Sequence, residues 1–152
     1  MLESLRKLFG VEDEIGARPA QPVRPGRPME RSPRMDQLVT TSVLGRSLVV
    51  TILEQEVSGP AVFELAHAIK EHYLREPALR NIVLDMENVR FLDSSGLSSL
   101  VDLMGVVKPR VGKIAIAAAT QQVEVLFKLT RLELVFTIRR TSIEAINAVE
   151  SA

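Results

Sequence analysis

The chain has 152 residues, 46% of them hydrophobic, with 19 Lys+Arg set against 19 Asp+Glu, one tyrosine, two histidines and neither cysteine nor tryptophan. That length supplies one domain with a real core and leaves no room for separate substrate and cofactor domains. Balanced charge and few aromatics argue against direct nucleic-acid binding, and the missing cysteines exclude disulfides, thiol catalysis and thiolate metal sites.

The first 35 residues differ in kind from the rest and hold five of the eight prolines. Met1, Leu2, Leu5, Leu8 and Phe9 fall at helical spacing with Arg6 and Lys7 opposite. Residues 2–9 therefore fit a short amphipathic helix that docks on a membrane surface or scaffold partner, or else a frayed tail. Pro19, Pro22, Pro25 and Pro28 recur every three residues, the period of polyproline II. Residues 17–34 thus read as a stiff tether, or as a P-x-x-P ligand with Arg24 and Arg27 between the prolines. The expected organisation is an extension over 1–35 and a domain over 36–152. No run reaches the roughly 20 apolar residues that span a bilayer, and no small-residue cleavage site follows the N-terminus, so the expected location is the cytoplasm.

The domain alternates strands and helices. Leu38 to Val43 and Ser47 to Leu53 are β-rich runs joined by Leu44-Gly45-Arg46, an opening hairpin. Ser58-Gly59-Pro60 signals a helix start, with Ser58 as cap, and Val62, Leu65, Ala66, Ile69 and Tyr73 form one apolar face that ends before Pro77. His67 and His72 lie in this segment, and their spacing is wrong for an i, i+4 metal pair. No cofactor or metal is called for. A buried strand follows at 81–86, then a helix from Ser94 to about Val107, ended by Pro109 and Gly112. Lys113 to Ala118 is a strand, Gln121 to Leu129 a helix, Leu134 to Ile138 a strand, and Ser142 to Val149 a last helix capped by Ser142. The pattern predicts an α/β fold: a mixed, mainly parallel sheet of four to five strands with about four helices.

Phe91-Leu92-Asp93-Ser94-Ser95-Gly96-Leu97 joins the central strand to the helix that follows. Asp93 or Ser94 caps that helix, which leaves serine hydroxyls on its first turn at the positive end of its dipole. A phosphate added there would be tolerated and would change the local charge by about −1.5 to −2. Stepping 100° per residue from Ser95 turns Leu97, Leu100, Val101 and Met104 to the core. The same wheel places Ser99, Asp102, Val106 and, beside them, Leu103 on the outer side with Ser95. Leu103 and Val106 then read as a partner-docking patch, or as residues covered by a neighbouring element. The wheel turns Ser94 partly inward, which favours Ser95 as the phospho-acceptor with Ser94 second. Gly96 would leave Ser95 unscreened from an approaching partner.

The stretch "IVLDMENVRFLDSSGL", Ile82 to Leu97, resembles the signature of the STAS domain of anti-sigma-factor antagonists, and the segment "VEVLFKLTRLELVFTIRRTSIEAINAV" matches the same family's pattern. The resemblance runs from roughly Val39 to Val149 and implies the same α/β architecture. It implies an antagonist that binds a serine-kinase anti-sigma factor, is inactivated by phosphorylation of Ser95, and is restored by a phosphatase. Asp93, Ser94, Gly96, Ser99, Asp102, Leu103 and Val106 are the expected partner-binding residues. Two departures stand out. Ser58 occupies a position where the family often has an acidic residue, with Glu56 close by, and Thr130-Arg131-Leu132 replaces a loop that often carries glycine. A second reading keeps the fold but makes the chain a non-switching scaffold subunit of a signalling assembly or transporter complex. An esterase-like role for Ser94 or Ser95 fits poorly, since the motif is no G-x-S-x-G elbow and no histidine is placed as its base, so no enzyme is expected.

Overall fold

The computed structural model describes residues 38–151. The readings made on residues 1–35, and the boundary between extension and domain, lie outside them. Strands β1 (Val39–Leu44) and β2 (Ser47–Ile52) form the expected hairpin, closed by a two-residue loop whose Gly45 has φ +60°. A glycine suits this place because hairpin loops that match the strand twist need a positive φ. Next come β3 (Glu56–Val57), α1 (Ala61–Arg75), β4 (Asn81–Asp85), β5 (Phe91–Leu92) and α2 (Ser94–Val107). The chain ends with β6 (Ile114–Ala117), α3 (Gln121–Leu129), β7 (Thr137–Arg139) and α4 (Ser142–Glu150).

Five strands make one sheet in the order β1-β2-β4-β6-β7, parallel throughout except for the hairpin, and four α-helices accompany it among the described residues. This is the predicted mixed, mainly parallel architecture. Side chains alternate across the sheet. Leu48, Val50, Ile52, Ile82, Leu84, Ile114 and Ile116 enter a large core with α1, α2 and α3 residues such as Ile69, Leu100 and Phe127. On the other face Val49, Val83, Ala115 and Ala117 meet Ala145 and Val149 of α4. Among the described residues a single short helix covers that face, lined by alanines and valines, whereas three helices fill the first. Burial on both faces accounts for the continuously apolar central strands.

Three local readings change. Ser58 does not cap α1: the N-cap is Pro60, whose fixed φ of −62° already suits a helix, and no side chain caps it. Thr141 rather than Ser142 caps α4, accepting from Glu144 N at 3.1 Å, while the Ser142 hydroxyl donates to Asp85 Oδ2 at 2.9 Å. The strand expected at 134–138 starts later, because Leu132–Leu134 is a 3-10 turn. Arg131 takes the left-handed conformation there (φ +58°), so the turn is made without a glycine. The turn delivers Phe136 into the core edge-on to Phe127, ring centres 5.8 Å apart.

At the far end of α1, the Tyr73 hydroxyl donates to the Arg80 carbonyl at 2.8 Å. The Arg110 guanidinium stacks 4.5 Å over the Tyr73 ring and donates to the carbonyls of Tyr73, Glu76 and Leu79. A cation thus meets the open carbonyls of a helix C-terminus. Burial pushes the Tyr73 phenol above its ordinary pKa, and the Arg110 charge only partly pulls it back.

Candidate functional site: a serine-bearing helix start

The short parallel pair β3–β5 builds the site. Glu56 lies beside Phe91 and Val57 beside Leu92, and the Gln55 carbonyl accepts from the N–H groups of both Arg90 and Phe91. This pair, which the sequence reading did not anticipate, carries the chain to Asp93 and brings the β3–α1 loop alongside. Asp93 is the N-cap of α2. Its Oδ1 accepts from Gly96 N at 2.8 Å and its Oδ2 from Gly59 N at 3.3 Å, so one carboxylate ties the helix start to the neighbouring loop. Of the two candidate caps, Asp93 does the capping. Ser94 and Ser95 fill the first helical positions, where backbone N–H groups have no carbonyl a turn behind them. Among the described residues, neither serine hydroxyl is engaged in a hydrogen bond. The helix start therefore presents free hydroxyls and free amides at its positive end.

The outward face of α2 is rotated from the expected one. Gly96, Ser99, Leu100, Leu103 and Val107 are buried, and Leu97, Met104 and Val106 are half-buried against the same core. Leu103 is 2% exposed, whereas Val101, expected in the core, is 43% exposed. Leu103 and Ser99 are thus not surface residues, and Val106 is only partly one. The two serines exchange places as well: Ser94 is exposed and Ser95 half-buried. By the same criterion, an outward hydroxyl, geometry favours Ser94 over Ser95, and the preference for Ser95 is left to the resemblance alone. Gly96 also has a different reason for being glycine, since a Cβ there would lie 2.7 Å from the Val57 carbonyl oxygen and press on the Leu92 side chain. It permits close approach of α2 to β3–β5 and does not open a docking surface.

What the site exposes is Ser94, Asp102 and Val101 on α2, together with two aromatic rings that the sequence reading missed. Phe91, in β5, is 53% exposed, and Phe63, on the first turn of α1, is 67% exposed. Each lies within four residues of the Asp93–Gly59 junction. A large aromatic at an outward position of an otherwise well-patterned helix, as at Phe63, was the available signal. Glu56, Asp93 and Asp102 make the surroundings acidic, with Arg90 as the nearby cation in sequence. Of the two histidines, His67 stands exposed on α1 with its Nε2 3.4 Å from Glu71.

A family model described as the STAS domain matches residues 47–145. No curated protein matches the sequence. Among solved structures, the chain is similar to the Bacillus anti-sigma factor antagonist SpoIIAA in its unphosphorylated form, with a TM-score of 0.63 and 21% identity over 75% of this chain and 97% of that one. It is similar to an anti-sigma-factor antagonist (STAS) domain protein from Planctomyces limnophilus, with a TM-score of 0.64 and 19% identity over 73% of this chain and 96% of that one. A third likeness is to the murine anion transporter Slc26a9, with a TM-score of 0.60 and 14% identity over 73% of this chain but 19% of the transporter. Identities this low establish a shared fold. No helix among the described residues is long and apolar enough to cross a membrane.

Proposed function

The chain belongs to the STAS domain family, and on that premise we propose that it is an anti-sigma-factor antagonist, a binding module turned off by a phosphate on the first turn of α2. The observation that carries this reading is the helix start itself. Asp93 is consumed in capping and tethering, and Ser94 and Ser95 are left with unengaged hydroxyls beside free amides. The phospho-acceptor is Ser95, with Ser94 second. The partner is an anti-sigma factor with serine-kinase activity, and a phosphatase reverses the modification. The partner surface, redrawn from the exposed side chains, comprises Phe63, Phe91, Ser94, Val101 and Asp102. Burying a new dianion against a partner, beside Asp93 and Asp102, brings desolvation and like-charge repulsion. A loss of ~3 kcal/mol already weakens binding more than a hundredfold. No change of fold is required.

The test is phosphosite mass spectrometry on protein purified from its own cells, with co-purifying proteins identified, for wild type, Ser95→Ala and Ser94→Ala. Phosphate on Ser95, and a kinase-type anti-sigma factor retained more strongly by Ser95→Ala, is the expected result. Phosphate on Ser94 alone would move the acceptor by one residue. The likeness to part of a transporter, together with the 1–35 extension, favours the scaffold reading as second choice. Two unmodified serines in a stable complex with an assembly or transporter subunit would establish it instead.

A further inference from the structure

Between residues 125 and 135 four large apolar side chains stand in solvent, away from any role in the switch. Val125 and Leu129 are on α3, and Leu134 and Val135 follow it; Leu129 and Leu134 are 77% and 79% exposed. Leu134 and Val135 line a groove of about 510 Å³ beside β7, rimmed by Glu124, Lys128, Glu133 and Arg139. Exposed apolar side chains that line a groove mark an interface. Moreover, among the described residues β7 is an edge of the sheet, paired with β6 on one side only. The Arg139 carbonyl accepts from Ala118 N, so Arg139 turns its backbone inward and Ile138, by alternation, turns its own outward. The Ile138 carbonyl is met there by the Arg139 guanidinium at 2.8 Å. Proteins usually blunt such an edge by keeping it short or with proline, a bulge, charges or a covering segment; Thr137-Ile138-Arg139 is short and carries one charge, with neither proline nor bulge.

A second copy of the chain fits both features. On the rim Glu124 and Lys128 already pair along α3 at 3.6 Å, which leaves Glu133 and Arg139, one charge of each sign, to meet their symmetry mates across a two-fold axis. A strongly acidic or basic partner would set half of it against like charge. An edge strand can pair with its own copy antiparallel: with the Arg139 guanidinium swung off the Ile138 carbonyl it now caps, Ile138 on the axis exchanges N–H···O=C bonds with its symmetry mate. We propose that β7 and its groove form an isologous homodimer interface that continues the sheet across two chains and covers Leu129 and Leu134. Antiparallel pairing points the C-terminal ends of the two parallel sheets in opposite directions. Both α2 helix starts, which follow the C-terminal end of β4, stay open to a partner.

Sedimentation velocity on the full chain, run across micromolar concentrations, tests this. The expected result is a reversible dimer. Leu129→Glu and Leu134→Glu should each raise its dissociation constant at least about tenfold, with circular dichroism and urea midpoint unchanged because both side chains are exposed. Val43→Glu, on the opposite edge strand β1, should leave the dimer intact. A wild-type monomer throughout, variants that dimerise like wild type, or dissociation caused by Val43→Glu instead would each overturn the proposal.

Discussion

Two glycines on one helix show how far a missing side chain depends on its surroundings. At Gly96 an added methyl would lie 2.7 Å from the Val57 carbonyl oxygen, a backbone atom held in the β3–β5 pair. At Gly105, on the exposed side of α2, it would meet nothing within 4 Å. Alanine gains about 1 kcal/mol over glycine in a helix interior, while overpacking costs about 1–3 kcal/mol. Urea unfolding of the two alanine variants should therefore give opposite signs. Gly96→Ala should lose about 1–2 kcal/mol, and Gly105→Ala should gain about 0.5–1 kcal/mol. If both gained, the contact between α2 and β3–β5 would be looser than described.

For α2 as an element, the question is which way it faces. Leu97, Leu100, Val101, Leu103, Met104, Val106 and Val107 spread over about 220° of the helix, wider than packing buries, and leave about 140° to Ser94, Ser95, Ser98, Asp102 and Gly105. A wheel drawn on such a sequence has no sharp centre, and its phase is set by what the helix meets. Here α2 packs on α1 as well as on the sheet, and its buried stripe runs through Gly96, Ser99, Leu100, Leu103 and Val107. The two small residues sit where the helix begins, beside β5, and the larger ones fill the space farther along. Leu103→Glu should destabilise by more than about 3 kcal/mol, because a carboxylate would be buried without a partner. Val101→Glu should stay within about 0.5 kcal/mol of wild type, as surface substitutions do. Equal effects in urea unfolding would mean that the stripe is misplaced.

Across the whole molecule, the buried Tyr73 ties α1, the Arg80 carbonyl and the half-buried Arg110 into one junction. Its phenol has a folded pKa above the unfolded value of 10.0, chiefly through burial. The neutral hydroxyl is the form the fold accepts. Stability from this group is therefore complete below pH 10 and falls as pH rises from there through the folded pKa. Since Tyr73 is the only tyrosine, phenolate absorbance reports it directly. Its titration should lie above that of the urea-unfolded chain, and the melting temperature should fall over the same alkaline range. Tyr73→Phe should remove that fall while lowering stability below pH 10 by about 1 kcal/mol for the lost hydrogen bond. A tyrosine that titrates alike in both states would show the junction to be open to water.

The α/β architecture and most element positions are legible along the chain, because apolar runs, prolines and polar boundaries act over a few residues and leave local marks. Asn81-Ile82-Val83-Leu84-Asp85 is a strand wherever it pairs, and Asp93-Ser94-Ser95 starts a helix whatever lies beside it. The rotation of α2, the pairing of β3 with β5, the second hydrogen bond of Asp93 and the work given to Ser142 and Gly96 came only with packing. Each of these depends on a neighbour distant in sequence: Val57 and Leu92 against Gly96, Asp85 for Ser142, Gly59 for Asp93. Periodicity tells which residues can be buried together. Which of them are buried is settled only when a second surface arrives, and here that moved the exposed apolar groups near the serines from Leu103 and Val106 to Phe63 and Phe91.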